Sequence, residues 1–245
     1  MEVDLSAAGS GDPDVWALVR DERALDDDTR HMGGWMPRMC RAAARELGAA
    51  GVGVSVMTPQ GDPAVLATSG VEVDTLEQLQ FTLGEGPCLD SLTLGRPVLT
   101  PDLVDAARTR WPGYAPAVQE HSVNAVFAFP LQLGAAQLGA MDVYRDRAGS
   151  LTPTEIRLAV AFAEAAMVTL LDAQEQTGPD VPAFGTALDG RFVVFQAQGM
   201  VQVQLGVSLE EALARLRAHA YATGRTLSDV AADVAARRLK LEPDS

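Results

Sequence analysis

The stretch from Arg191 to Leu241 leaves the chain few ways to fold, because its helix starts and stops are spelled out in turn. Ser208-Leu-Glu-Glu211 is a capping box: the Ser hydroxyl accepts a first-turn N–H and Glu211 is placed to reach back. Leu209, Ala212, Leu213, Leu216 and Ala220 then fall on one helical face. Gly224 supplies a left-handed stop. A further helix starts near Thr226, carries Leu227, Val230, Ala231 and Val234 on one side, and ends in Arg237, Arg238 and Lys240, where cations suit the helix dipole. A helix from about Leu188 to Leu205, halted by Gly206, precedes them. Three short, separately terminated helices pack as one unit.

The first of these helices is apolar on two sides. Val193, Val194, Ala197, Met200, Val201 and Leu205 form one face, and Phe192, Phe195, Gly199 and Val203 another. Between them runs a narrow polar stripe of Arg191, Gln198 and Gln202. Two apolar faces call for two partners: the rest of the bundle, and a linker helix or second subunit. The Ala197-Gln-Gly199 step permits close approach to the backbone, by another helix or by a ligand.

The runs Gln196-Ala-Gln-Gly-Met200, Glu211-Ala-Leu-Ala-Arg-Leu-Arg217 and Leu227-Ser-Asp-Val-Ala231 resemble the ANTAR domain, a three-helix RNA-binding module of bacterial transcription antiterminators. The resemblance covers nearly all of residues 186–240. It implies binding of paired stem-loops in mRNA leaders, which keeps a terminator hairpin from forming. It also places Ala197, Gly199, Ala212, Leu216, Ala220 and Ala231 among the pattern residues, most of them suited to packing. RNA contact is then expected from the polar groups beside them: Arg191, Gln198 and Gln202 on the first helix, Arg217 and His219 on the second, and Arg225 at the turn. Arg237, Arg238 and Lys240 read as solvated, dipole-compensating cations. Two other readings stay open. Helices 208–223 and 226–239 could form a helix-turn-helix on DNA, although the second opens with two acids and no Arg, Lys, Asn or Gln. Alternatively, the apolar first helix docks a protein partner.

A net charge of −14 at first opposes nucleic-acid binding. The charge is unevenly spread. Residues 186–245 hold seven basic and seven acidic residues, so the excess lies in residues 1–185. A nearly neutral RNA module must lean on stacking, hydrogen bonds and loop shape. No apolar run reaches membrane-spanning length and the N-terminus lacks a basic signal entry, so a cytoplasmic protein without membrane contact is expected. Two cysteines make no disulfide framework.

Residues 1–13 are Gly- and Ser-containing and are expected to be disordered. Two helical stretches follow from Asp14 to Leu47. Val52, Val54 and Val56 alternate with small residues as a strand, and residues 64–68 return as a hairpin. Residues 74–81 suit a short helix; 97–100, 124–133 and 136–145 are three more strands. This pattern predicts an α+β domain, an antiparallel sheet with helices on one side. The segments Leu83-Gly-Glu-Gly-Pro-Cys-Leu-Asp-Ser-Leu92, Arg96-Pro-Val-Leu-Thr100, Val126-Phe-Ala-Phe-Pro-Leu131 and Leu138-Gly-Ala-Met-Asp-Val-Tyr144 resemble the GAF sensory fold over roughly residues 30–172. The resemblance implies a regulatory domain with a cavity on one sheet face that takes a small-molecule ligand, its cofactor unnamed. Cys88, Trp111, Tyr114, Phe127, Phe129 and Met141 are the candidate lining, although aromatics at strand spacing more often fill a core. Cys88, near a helix start, is either a small buried residue or a dipole-activated thiolate. His31, His121 and His219 show no metal-ligand spacing, and no Cys-x-x-Cys or nucleotide-, zinc- or serine-hydrolase string occurs, so neither catalytic nor metal residues are assigned.

Thr152-Pro-Thr-Glu155 opens a helix over 152–176. Ile156, Val160, Ala163, Met167 and Leu170 recur at heptad spacing, a seam that favours a homodimer. The opposite face, with Leu158, Phe162, Ala165 and Thr169, is free to lie on the sheet. The chain therefore divides into a GAF-like domain over 14–176 that includes this helix, a linker over 177–185, an ANTAR-like domain over 186–240 and a tail over 241–245.

Overall fold

The structure is a computed structural model and describes residues 14–25, 34–57, 63–134, 136–177 and 185–242. The expected disordered N-terminus, most of the 177–185 linker and the last three residues of the tail lie outside the described residues.

Two helices, α1 (Val15–Asp21) and α2 (Trp35–Glu46), precede the hairpin of β1 (Gly51–Met57) and β2 (Pro63–Thr68). Then come α3 (Val71–Leu83), α4 (Pro87–Leu94), β3 (Val98–Thr100), α5 (Leu103–Thr109) and α6 (Tyr114–Gln119). The long hairpin of β4 (Ala125–Leu133) and β5 (Ala136–Arg145) closes a five-stranded antiparallel sheet of order β2-β1-β5-β4-β3. All five predicted strands are present.

Helices cover both faces of this sheet, not one as the sequence reading has it. Strand β1 is buried on its two sides for six consecutive residues, which a sheet with one solvated face would not tolerate. On one face Val52, Val54, Val56, Phe127, Phe129, Met141 and Val143 pack under α1, α2 and the long helix α7 (Pro153–Thr177). On the other, Val126, Ala128 and Tyr144 pack against Val73 and Leu76 of α3 and against Trp111, Tyr114 and Val118 around α6.

Helix α7 begins with a complete capping box: Thr152 Oγ1 accepts from Glu155 N–H (3.2 Å), and Glu155 Oε2 accepts from Thr152 N–H (2.6 Å). The other carboxylate oxygen of Glu155 pairs with Arg145, whose guanidinium also donates to Leu47 O. One acid thus ties α7 to the end of β5 and, through Arg145, to the end of α2. Ala159, Phe162, Ala166 and Leu170 of α7 are buried, as is Ala163. The predicted seam is corrected accordingly. Ala163 and Leu170 belong to the chain's own core, while Ile156, Val160 and Met167 stay partly exposed.

The C-terminal unit comprises α8 (Gly185–Leu205), α9 (Leu209–Thr223) and α10 (Leu227–Ala235). Ser208 Oγ accepts from Glu211 N–H at 3.1 Å, as its position predicts. The Glu211 side chain instead turns forward and pairs with Arg215 one turn on, an i,i+4 ion pair. Gly224 ends α9 in the left-handed conformation. Helix α10 stops at Ala235, and Arg237 takes a positive φ of 59°, so the terminal cations lie past the helix and not in its last turn. The core of the unit is Val194, Ala197, Val201, Ala212, Leu216, Ala220, Leu227, Val230, Ala231 and Val234. The first predicted face of α8 supplies it. No helix among the described residues is long and apolar enough to cross a membrane.

Candidate functional site

The helical unit docks on the sheet domain through α3. The last turn of α3 leaves carbonyls without helical partners. Arg217 of α9 fills one of them, its Nε donating to Phe81 O at 3.0 Å, a cation set at a helix C-terminus where the dipole favours it. Beneath the guanidinium lies Gly84, in left-handed conformation (φ 72°); a Cβ there would stand 2.8 Å from Arg217 Nη1. Alongside, the Leu227 backbone N–H at the start of α10 reaches Thr82 Oγ1, a long contact of 3.4 Å in a buried setting. Helix α8 packs beside the edge strand β2.

Three of the residues expected to contact RNA are engaged in holding the structure together. Arg217 is engaged with α3. Arg225 pairs with Asp233 of α10 at 2.7 Å and also donates to Asp229 O, which fixes the α9–α10 turn. Gln198 Nε2 donates to Leu209 O at 2.8 Å and ties α8 to the start of α9. Gln202 and His219 are half-exposed. The backbone of Arg191 lies in α8, and its side chain is outside the described residues. A solvent-facing concavity of the unit lies elsewhere, a groove of 540 Å³ between α8 and the segment after α10, lined by Gln196, Met200, Val203, Gln204, Arg237 and Lys240 among others. Lys240 and Arg237, read from the sequence as bystanders, stand at this groove, and Val203 is 83% exposed.

Between α3, the start of α4 and the sheet lies a second constellation that the sequence reading missed. Strand β1 presents Gly51, Gly53 and Ser55 on this side, and the missing side chain of Gly53 lets Glu77 of α3 lie flat on the strand; a Cβ at Gly53 would stand 2.2 Å from Glu77 Oε1. Glu77 accepts from Ser55 Oγ (2.7 Å) and Tyr144 Oη (2.9 Å). Gln80, one turn further along α3, donates to Asp142 Oδ2 (2.6 Å) and accepts from the Cys88 backbone N–H (2.8 Å). Tyr114 enters from α6, whose first turn is fixed by Glu85 Oε1 accepting from the N–H groups of Gly113 and Tyr114. Glu77, Cys88, Tyr114, Asp142 and Tyr144 are all essentially sealed from solvent. One ligand atom from each of Glu77, Cys88 and Asp142 lies within 4.8 Å of the other two. Asp142 Oδ1 and Tyr114 Oη make no hydrogen bond of good geometry, although the Cys88 thiol lies near Asp142 and the Tyr144 hydroxyl near Tyr114.

Burial dominates the electrostatics of this cluster. It pushes the Glu77 carboxyl up to about 7, against the hydrogen bonds from Ser55 and Tyr144 that favour the ionised form. It drives Asp142 well above the usual carboxylate range, with the Glu77 charge adding to the effect. The Cys88 thiol is likewise raised, first by burial and then by Asp142 and Glu77. Although Cys88 sits in the first turn of α4, its surroundings do not favour a free thiolate.

The candidate lining residues of the sensory domain split between the two sheet faces. Cys88, Trp111 and Tyr114 lie on the α3–α6 side, whereas Phe127, Phe129 and Met141 are buried under α2 and α7. Alternation along β4 and β5 points Phe127 and Met141 away from Asp142 and Tyr144. A single pocket lined by all six is therefore ruled out. Strand alternation could have made that separation, since Asp142 and Tyr144 lie on the face opposite Met141 and Val143. Burial of an acid on α3 leaves a fainter trace, the small residues Gly51, Gly53 and Ser55 across from it.

The structure is thus a sheet domain holding a sealed polar cluster, with a helical module latched to its helix α3. The family model described as GAF domain matches residues 34–170 and that described as ANTAR domain matches residues 183–234; the chain belongs to the GAF family and carries an ANTAR domain. Comparison with the curated proteins finds no match. Among solved structures, it is similar to the GAF domain of a phosphoenolpyruvate-protein phosphotransferase from Coxiella burnetii, at 15% identity and a TM-score of 0.51 over 66% of this chain and 96% of that one. It is also similar to the GAF domain region of a putative membrane protein from Geobacter sulfurreducens, at 13% identity and a TM-score of 0.50 over 60% of this chain and 97% of that one. At such identities these likenesses speak for the fold alone.

Proposed function

We propose that the chain is a cytoplasmic antitermination regulator in which the GAF domain controls binding of paired mRNA stem-loops by the ANTAR domain. The observation that carries this reading is the docking of α9 and α10 on α3. Arg217, one of the cations expected to meet RNA, is held by the sensory domain through Phe81 O. A signal that loosens the end of α3 frees that cation, and RNA competes with the sensory domain for it. Once free, Arg217 joins Gln202 and His219 in contacting the loop, while Gln198 and Arg225 hold the bundle in shape. The sensory domain takes a small effector, and the chain acts as a homodimer through α7. The test is a titration of the full chain with paired RNA stem-loops and with duplex DNA at matched salt, because phosphate contacts make either affinity salt-dependent. Preferential RNA binding is expected. Preference for the duplex would install the helix-turn-helix reading, and binding of neither would favour a protein-docking module.

A further inference from the structure

From the three converging donor atoms of Glu77, Cys88 and Asp142, we infer that the sensory domain binds one divalent transition-metal ion of the zinc class in the sealed space between α3, α4 and β5. The ligand atoms come from three separate elements and lie within 4.8 Å of one another. Around a tetrahedral ion that bonds sulfur at about 2.3 Å and carboxylate oxygen at about 2.0–2.2 Å, the ligand atoms stand roughly 3.3–3.7 Å apart, so the observed set closes on an ion with side-chain shifts of about 1 Å.

Two independent features point to a ligand here and not to a polar core alone. Asp142 Oδ1 and Tyr114 Oη are buried without a well-formed hydrogen bond, although the Cys88 thiol and the Tyr144 hydroxyl lie near enough to act on them. Leaving such groups unsatisfied is costly, and native interiors seldom do so without an ion or water to meet them. Moreover, two carboxylates share a dry site, and among the described residues no ion pair reaches either of them. Burial alone favours their neutral forms, and a divalent cation is the counter-charge that would let both ionise.

The surroundings are those of a prepared ligand set. Ser55 and Tyr144 hold the Glu77 carboxylate from behind, and Gln80 holds Asp142 through the oxygen that is not orphaned. Outer hydrogen bonds of this kind orient metal ligands. The other Asp142 oxygen, Oδ1, is left for the ion. Tyr114 Oη is available to bind or hydrogen-bond whatever fills the fourth position. One thiolate among oxygen donors disfavours magnesium and calcium and suits zinc, cobalt or ferrous iron. Binding removes the proton from Cys88, which the bare site does not do for itself.

The probe is cobalt(II), added to full-length chain stripped by a chelator, followed by zinc in a thermal melt. Expected are one equivalent of cobalt per chain, a thiolate-to-cobalt charge-transfer band, and a zinc-dependent rise in melting temperature. Cys88→Ser should abolish the band, while Cys40→Ser, altered in the core on the opposite sheet face, should keep it. Asp142→Asn should lose the zinc-dependent rise, and Gln80→Ala should weaken binding about 10–100-fold. Absence of a thiolate band in the parent chain overturns the inference whether or not the variants fold. So does a band that survives in Cys88→Ser or disappears in Cys40→Ser. A zinc-independent rise in melting temperature for both Glu77→Gln and Asp142→Asn, with no cobalt band in the parent, identifies the cluster as a neutral polar core instead.

Discussion

Gly53 shows how one residue decides what its neighbours can be. Any side chain there would collide with the Glu77 carboxylate, and Glu77 could retreat only by straining its hydrogen bonds to Ser55 and Tyr144. Gly53→Ala is therefore expected to destabilise the sheet domain by about 1–3 kcal/mol, the range for overpacking a filled site. An unchanged denaturation midpoint would mean that Glu77 is looser than its bonds imply. Glu155 makes a second residue-scale case. The Thr152 backbone N–H, with Arg145 beside it, holds its carboxyl down from the usual 4.5 to about 2. A depressed folded-state value stabilises the protein above the unfolded-state value, and that contribution is lost as pH falls from about 4.5 towards 2. The melting-temperature difference between the parent and Glu155→Gln should thus be present near neutrality and shrink below pH 4.5. A difference independent of pH would show that the carboxylate's charge contributes nothing. The cluster around Glu77 was hidden from the sequence for a physical reason. Its members come from α3, α4, α6, β1 and β5, and in Val71–Leu83 the acids and glutamines look like an exposed face until the burial of Glu77 and Gln80 is seen.

At the scale of elements, what could be read in advance was what local physics alone determines. Val52, Val54 and Val56 declare β1, and Ser208, Gly224 and Thr226 mark the limits of α9 and α10; all are where their local chemistry requires. Helix α3 runs longer than residues 74–81, because Gly70 and Gly84 and not the apolar pattern set its ends. Tyr114, singled out in the sequence only as a candidate lining residue, opens α6. The faces of α7 were the harder problem. A helix with apolar residues nearly all round fits more than one seam by spacing alone, and tertiary packing assigned Ala163 and Leu170 to the interior. Val160 and Met167, which stay partly exposed, line a groove of 260 Å³ with Pro130 and the buried Phe129 of β4. If this groove receives α7 of a second copy, Val160→Glu/Met167→Glu places like charges against each other in a desolvated contact. Light scattering should then report monomers, at a cost to the interface of several kcal/mol. A dimer that persists would remove α7 from the interface.

At the scale of the whole molecule, the sensory and helical units meet at the last turn of α3, and that contact makes a prediction separable from RNA chemistry. Arg217 carries two roles in the proposed function, brake contact now and RNA contact later, so its removal alone has opposing effects. Thr82 carries only the first. Its side chain is buried against the start of α10, where Leu227 N–H reaches its hydroxyl. Thr82→Arg introduces a long charged side chain into that seam, beside Arg217, and both bulk and like charge push the units apart. Full-length Thr82→Arg is therefore expected to bind paired stem-loops several-fold more tightly than the parent, because less binding energy is spent on undocking. Adding Arg217→Ala in that background should weaken binding by about 1–3 kcal/mol, the value of a direct polar contact no longer offset by release. Should Thr82→Arg bind RNA like the parent, docking is no brake. Should Arg217→Ala change nothing in the undocked background, the RNA surface lies instead at the α8 groove, with Arg237 and Lys240 as its cations.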